Sequence, residues 1–138
     1  MSLLAALLSA AAQQGGAGDA WGYYRTVTIN NTGGNAHTDH QVRVALTSGN
    51  FDFSHARTDG YDVQFRATDG VTVLSSWRES YDDATDTAAF WVKVPSVPSN
   101  ASTTIRLYYG NPAATDASSI TSVFLFGEDF RVTSTAAL

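Results

Sequence analysis

From Trp21 onward, hydrophobic and polar residues alternate with a period of two, which is typical of half-buried β-strands. In the first such segment, Arg25, Val27 and Ile29 share one phase, and threonines occupy the other. The same alternation recurs in residues 41–46, 63–67, 90–94 and 105–109, and an apolar segment at 123–126 is predicted as a last strand. Turn-forming residues separate these segments, among them Thr68-Asp69-Gly70, which predicts a hairpin into a strand that ends near Trp77.

About seven short strands without a second helical pattern predict an all-β, antiparallel β-sandwich, jelly-roll-like, over residues 21–126. A closed barrel is the alternative. The inward phase of each strand supplies the predicted core. Its members are Val27, Ile29, Val42, Val44, Val63, Phe65, Phe90, Val92, Ile105 and Leu107.

The segment before the alternation is apolar and rich in alanine and leucine, which favours a short helix over residues 1–14. Helical spacing places Leu3, Leu4, Leu7 and Leu8 on one side of it. A secretory signal is the alternative, but no lysine or arginine precedes the apolar residues. Because a helix this short is marginal alone in water, we expect it to dock on another chain, either a further copy in a homo-oligomer or a different subunit. The glycine-rich residues 15–20 read as a linker.

Composition excludes several partners and reactions. Only 15% of the residues are charged, the net charge is −5, and Lys93 is the single lysine. Nucleic acid is therefore not an expected partner, since no basic stripe is present. The apolar N-terminal segment is too short to span a membrane. The absence of cysteine excludes disulfides, thiolate metal sites and a cysteine nucleophile.

Catalytic residues are not predicted, and we expect the protein not to be an enzyme. A glycosidase needs two facing carboxylic acids, yet Glu79 and Glu128 are the only glutamates. The acidic group Asp82, Asp83 and Asp86 lies in a sequence typical of a solvated loop. No Gly-x-Ser-x-Gly motif of a serine hydrolase is present.

Metal sites are weakly indicated, and no cofactor is expected. His37, Asp39 and His40 form a His-x-Asp-His motif that could supply two metal ligands. Surface or structural histidines explain the motif as well, because no helix holds these side chains together. The aspartates of residues 59–62 and 69–70 could offer oxygen ligands to calcium, although Asp-Gly pairs are typical of plain turns.

Aromatic residues are the candidates for ligand binding. Trp77, Trp91 and Tyr108 could stack against sugar rings, because aromatic faces are rigid and amphipathic. Trp91 lies out of phase with Phe90, and Tyr108 lies out of phase with Ile105. Both side chains are therefore predicted to point away from the core, towards a binding face or a subunit interface.

Many separate segments, in sequence order, resemble the family known as domain of unknown function 2341. They are residues 21–29 (WGYYRTVTI), 39–44 (DHQVRV), 51–54 (FDFS), 59–65 (DGYDVQF), 77–79 (WRE), 90–95 (FWVKVP) and 104–112 (TIRLYYGNP). The resemblance implies a module of long bacterial, archaeal or phage surface proteins, often followed by a concanavalin-A-like domain. Residues 127–138 are then the start of a following domain or a tail.

The family has no established catalytic residues, so the resemblance implies a non-catalytic function. We expect a structural or attachment module on a virion or the extracellular surface, such as the N-terminal anchoring part of a phage tail or head fibre or decoration protein. Its partners would be other subunits of the assembly. The alternative is a carbohydrate-binding accessory module of a secreted or cell-surface protein, which would bind a glycan.

Overall fold

The computed structural model describes residues 5–8, 13–14 and 20–124. Strands dominate this part of the chain and pair antiparallel in two sheets. The strands are β1 (Ala5–Leu8), β2 (Gln13–Gln14), β3 (Tyr23–Asn30), β4 (His37–Thr47), β5 (Gln64–Ala67), β6 (Val73–Leu74), β7 (Ser76–Asp82), β8 (Thr87–Val97) and β9 (Ser102–Tyr109). A 3-10 turn (Phe53–His55) and a single helical turn, α1 (Ile120–Val123), are added to them.

The first sheet has the strand order β1-β3-β9-β5-β6, and β2 also pairs with β3. The second sheet has the order β4-β8-β7. Two separate antiparallel sheets make the fold an all-β sandwich, as predicted, rather than a closed barrel. No helix in the described part of the chain is long and apolar enough to cross a membrane.

The core lies between the two sheets and is built from the inward phase of each strand. All ten residues of the predicted core are buried, which confirms the strand register drawn from the alternation. The loops between strands add aromatic residues to one end of this core. Phe51 and Phe53 are buried there beside Tyr109 at the end of β9.

The N-terminal docking helix predicted over residues 1–14 is wrong at Ala5–Leu8 and at Gln13–Gln14, because both segments form strands that pair with β3. Strand β1 pairs with β3 in the register Ala5↔Asn30 to Leu8↔Val27. The side chains of Ala6 and Leu8 pack against the core, whereas Leu7 points outward and is 63% exposed. Alanine and leucine favour helix only slightly, and the hydrogen bonds offered by the edge of β3 outweigh that preference. Leu3 and Leu4 lie outside the described residues.

Two further predictions need correction. The hairpin after Asp69 does not continue in one strand to Trp77: β6 pairs with β5, and the chain then changes sheets, so that β7 pairs with β8. The last strand, predicted to begin at Val123, does not begin there, because Val123 is the last residue of the helical turn α1. The N-cap of this turn is Ser119, whose side chain accepts a hydrogen bond from the backbone N–H of Ser122. Phe124 is the C-cap of this turn, and residues 125–138 lie outside the described part of the chain.

Candidate functional site

Most carboxylates of the described chain have structural roles. Asp62 is buried and accepts hydrogen bonds from the backbone N–H groups of Arg57 (2.9 Å), Gly110 and Asn111 (both 3.1 Å). Asp59 forms an ion pair with the Arg57 guanidinium at 2.7 Å. The segment that the sequence suggested for calcium therefore joins its own loop to the end of β9.

Other acidic residues also hold turns or arginines. Asp69 accepts from the backbone and hydroxyl of Thr72, and these hydrogen bonds lower the pKa of its carboxyl to about 2. Glu79 accepts from the Arg43 guanidinium at 3.0 Å and from the indole N–H of Trp91 at 2.7 Å. The hydrogen bond from Arg43 is the main reason why the pKa of Glu79 is lowered. Glu128 lies outside the described residues.

His37 and His40 lie on β4 with their rings 4.4 Å apart and tilted by 33°. Asp39, between them, has a left-handed backbone (φ 50°) and interrupts the pairing of β4 with β8. The short motif therefore forms a pair of tilted rings in contact at an irregular sheet edge. Within the described residues, no group of three histidine, aspartate or glutamate side chains is placed to hold a metal ion.

The predicted ligand-binding aromatics lie on opposite sides of the sandwich. Trp77 and Trp91 are directly opposite each other on the outer face of the three-stranded sheet. Phe124, just after α1, makes edge contacts with both, with ring centroids 6.1 Å and 5.5 Å away. Tyr108 lies on the outer face of the six-stranded sheet, so the three residues do not form one platform. It points away from the core as predicted, but it is only 3% exposed because Arg66 covers its ring, so it is not an open stacking surface.

On that outer face, Tyr108 belongs to a set of stacked tyrosine and arginine side chains that we call the arginine–tyrosine face. It consists of Tyr24, Arg66, Arg106 and Tyr108. The two tyrosine rings stack at 5.1 Å, and the Arg66 guanidinium lies 3.9 Å from the Tyr108 ring centre. The Arg106 guanidinium lies 4.6 Å from the Tyr24 ring centre. Cation–π contacts of this kind hold a guanidinium flat on the surface.

The arginine–tyrosine face is positioned by three neighbouring strands. In the sheet register, Tyr24 of β3 is opposite Tyr108 of β9, and Arg66 of β5 is opposite Arg106. Sequence analysis singled out Tyr108 alone. The signal it missed is the Arg-x-Tyr spacing of Arg106 and Tyr108, which places both side chains on the same outer face of one strand.

A cavity of about 630 Å³ opens at one end of the sandwich, and we call it the end cavity. The connection after β4, residues 48–58, forms one wall, and the turn between β7 and β8, which carries Asp83 and Asp86, forms another. Arg25, on the inward phase of β3, lines the cavity while only 8% of its surface is exposed. Ser48 and Thr58 add hydroxyl groups.

Asp83 and Asp86 differ from most acidic residues of the fold, because within the described residues their carboxylates take part in no hydrogen bond or ion pair. The neighbouring Asp82 has a structural role, accepting from the backbone of Ala84. Sequence analysis treated these three aspartates as one solvated loop. The structure separates them into one residue that holds the turn and two that face a cavity.

No curated protein and no solved structure matches this chain. The family model described as domain of unknown function (DUF2341) matches residues 59–138, which is more than half of the chain. The matched residues include the strands β5 to β9 and the helical turn α1. This match confirms the resemblance seen in the sequence, and the chain belongs to the DUF2341 family.

Proposed function

We propose that this protein is a non-catalytic structural or attachment module of a virion or another extracellular surface assembly, and that it joins further copies of itself through the arginine–tyrosine face. The observation that carries the proposal is this face itself. Tyr24, Arg66 and Arg106 are half-buried on this outer surface and surround the buried ring of Tyr108. A surface that combines arginine and tyrosine has the composition enriched at protein interfaces. The exposed Leu7 lies on the same outer side, opposite Thr28 in the register.

Charge supports a contact between copies. The arginine–tyrosine face carries two guanidinium groups, whereas the whole chain has a net charge of −5. The remainder of each copy is therefore strongly acidic and complementary to the face of the next copy. Such complementarity steers association and fixes its orientation.

Arg106→Glu is expected to weaken self-association at least about tenfold, because it places a carboxylate on the face that would meet an acidic neighbour. Lys93→Glu is the matched control, since it makes the same charge change on the outer face of the three-stranded sheet. Sedimentation velocity over a concentration series measures both. A wild-type protein that stays monomeric up to about 1 mM, or equal effects of the two reversals, would contradict the proposal.

We also expect no hydrolase activity and no required metal. The carboxylates Asp59, Asp62, Asp69 and Glu79 are engaged with arginines or backbone N–H groups, which supports a non-catalytic role. A screen on a panel of polysaccharides, with and without EDTA, is the measurement. Turnover of a polysaccharide that disappears when EDTA is added would contradict this expectation. It would favour a metal site at Asp86 or at His37 and His40.

A second candidate function is glycan binding, and the end cavity favours it. Binding sites for small ligands are concave and have volumes of roughly 300–1,000 Å³, and the cavity falls within that range. Its lining offers carboxylate, hydroxyl and guanidinium groups, which together can satisfy the alternating donors and acceptors of a sugar. The Trp77 and Trp91 pair favours this function less, because Phe124 packs against both rings.

A further inference from the structure

We propose that the end cavity binds a neutral, polyhydroxylated sugar segment, and that the carboxylates of Asp83 and Asp86 accept hydrogen bonds from its hydroxyl groups. The inference rests on glycan binding, the second candidate function. It assigns that function to a place in the fold that is remote from the aromatic residues, and it names the chemistry of the ligand.

The fold leaves some acidic residues without a structural role. Of the ten carboxylates in the described residues, only those of Asp39, Asp83 and Asp86 take part in no hydrogen bond or ion pair there. Asp39 lies at the edge of β4, whereas Asp83 and Asp86 both line the end cavity. Since neither has a role in holding the fold, both remain available to a ligand.

The charge of the cavity lining restricts which ligands can bind. Arg25 lines it, but its positive charge acts on Asp52 and Tyr109, and it contributes to lowering the pKa of the Asp52 carboxyl, after the hydrogen bonds from Ser54 and the charge of His55. With Asp52, Asp83 and Asp86 around one arginine, the lining is acidic overall. An anionic sugar would be repelled, so the ligand is not acidic. The hydrogen-bonding groups of the lining suit the hydroxyls of a neutral sugar.

Hydrogen bonding between the lining and the ligand also favours a sugar. A carboxylate accepts at two oxygens, and vicinal sugar hydroxyls present two donors at matching spacing. Ser48 and Thr58 both donate and accept, and can serve the remaining sugar oxygens. Phe53, which is buried, makes one part of the cavity wall apolar.

Isothermal titration with defined hexasaccharides tests the inference. The neutral probes are the hexamers of α-1,4-glucose, β-1,4-glucose, β-1,4-mannose, β-1,4-galactose and β-1,4-N-acetylglucosamine. Hexagalacturonate is the acidic probe, and the hexamer of β-1,4-glucosamine is the cationic one. We expect at least one neutral hexamer to bind through its hydroxyl groups, and we expect the acidic hexamer to bind more weakly than it does. The cationic hexamer separates this recognition from simple attraction to the acidic lining.

The double variant Asp83→Asn/Asp86→Asn is expected to weaken binding of the neutral hexamer by about tenfold or more, because charge-assisted hydrogen bonds become ordinary ones. Asp39→Asn is the matched control, since Asp39 and Asp86 are both acidic, unengaged and left-handed in backbone (φ 50° and 55°). It should change affinity less than twofold. Equal urea midpoints for the three proteins establish that the variants are folded.

Each alternative outcome is decisive. If no neutral hexamer binds, both glycan binding and this inference are wrong. If one binds but the double variant binds equally well, glycan binding stands and the assignment to Asp83 and Asp86 is overturned. Stronger binding of the acidic or cationic hexamer, or binding that EDTA abolishes and calcium restores, would also overturn direct recognition of a neutral sugar by the two carboxylates.

Discussion

Val92→Asp is expected to lower the free energy of unfolding by about 4 kcal/mol or more. Val92 lies in β8, the middle strand of the three-stranded sheet, and its side chain is fully buried. An aspartate there would be a buried charge without a partner, which costs several kcal/mol. The domain's total stability is on the order of 5–15 kcal/mol, so a loss of this size removes a large share of it. Urea denaturation followed by tryptophan fluorescence is the measurement.

Val73→Asp is the matched control for this variant. Val73 lies in the edge strand β6, is 57% exposed, and pairs with Arg66 in the register. The same chemical change on this surface is expected to shift stability by less than about 1 kcal/mol. An unchanged urea midpoint for Val92→Asp, or equal losses in the two variants, would show that the strand register is wrong.

Asp62→Asn is the second variant for which we expect a large loss of stability. The Asp62 carboxylate is 1% exposed, and its two oxygens accept from three backbone N–H groups, one at Oδ1 and two at Oδ2. An amide keeps the size of the side chain but replaces one oxygen by an NH₂ group. That group would point at an N–H, whichever way the amide is turned. We therefore expect a loss of about 3 kcal/mol or more, since hydrogen bonds to charged groups contribute roughly 1.5–3 kcal/mol each.

Thermal denaturation followed by circular dichroism measures this loss. Asp39→Asn is again the matched control, because Asp39 is exposed and its carboxylate is unengaged in the described chain. The melting temperature of Asp39→Asn is expected to equal that of the wild type. If Asp62→Asn also melts at the wild-type temperature, the hydrogen bonds to Gly110 and Asn111 do not hold the end of β9 in solution.

The buried half of the fold was predictable because it follows a local rule. Alternation with a period of two identifies the inward residues of a strand without knowledge of its partner, and Val27, Val44 and Phe90 all lie where this rule places them. The same rule placed Arg25 in the inward phase of β3, and it is indeed buried. The family resemblance also was visible in the sequence and is confirmed.

The N-terminal strand was not predictable in this way, because its conformation depends on a distant edge. The residues Ala5–Leu8 favour helix by propensity, and only the open side of β3 makes an extended conformation better. The end cavity was hidden for a similar reason. Arg25 and Asp86 are far apart in sequence. No local pattern shows that the beginning of β3 and the turn between β7 and β8 lie at the same end of the sandwich.

The central position of β9 in the six-stranded sheet has a consequence for the order in which the chain can fold. Strand β9 pairs with β3, from which it is separated by about 80 residues, and it also pairs with β5. Ribosomes add roughly 5–20 residues per second, so β3 waits about 4–16 seconds before its partner exists. Long-range pairing of this kind also slows the search itself, giving folding times in the millisecond-to-second range. During synthesis, β1 and β2 are therefore the only described strands of this sheet that can pair with β3 before β9 exists.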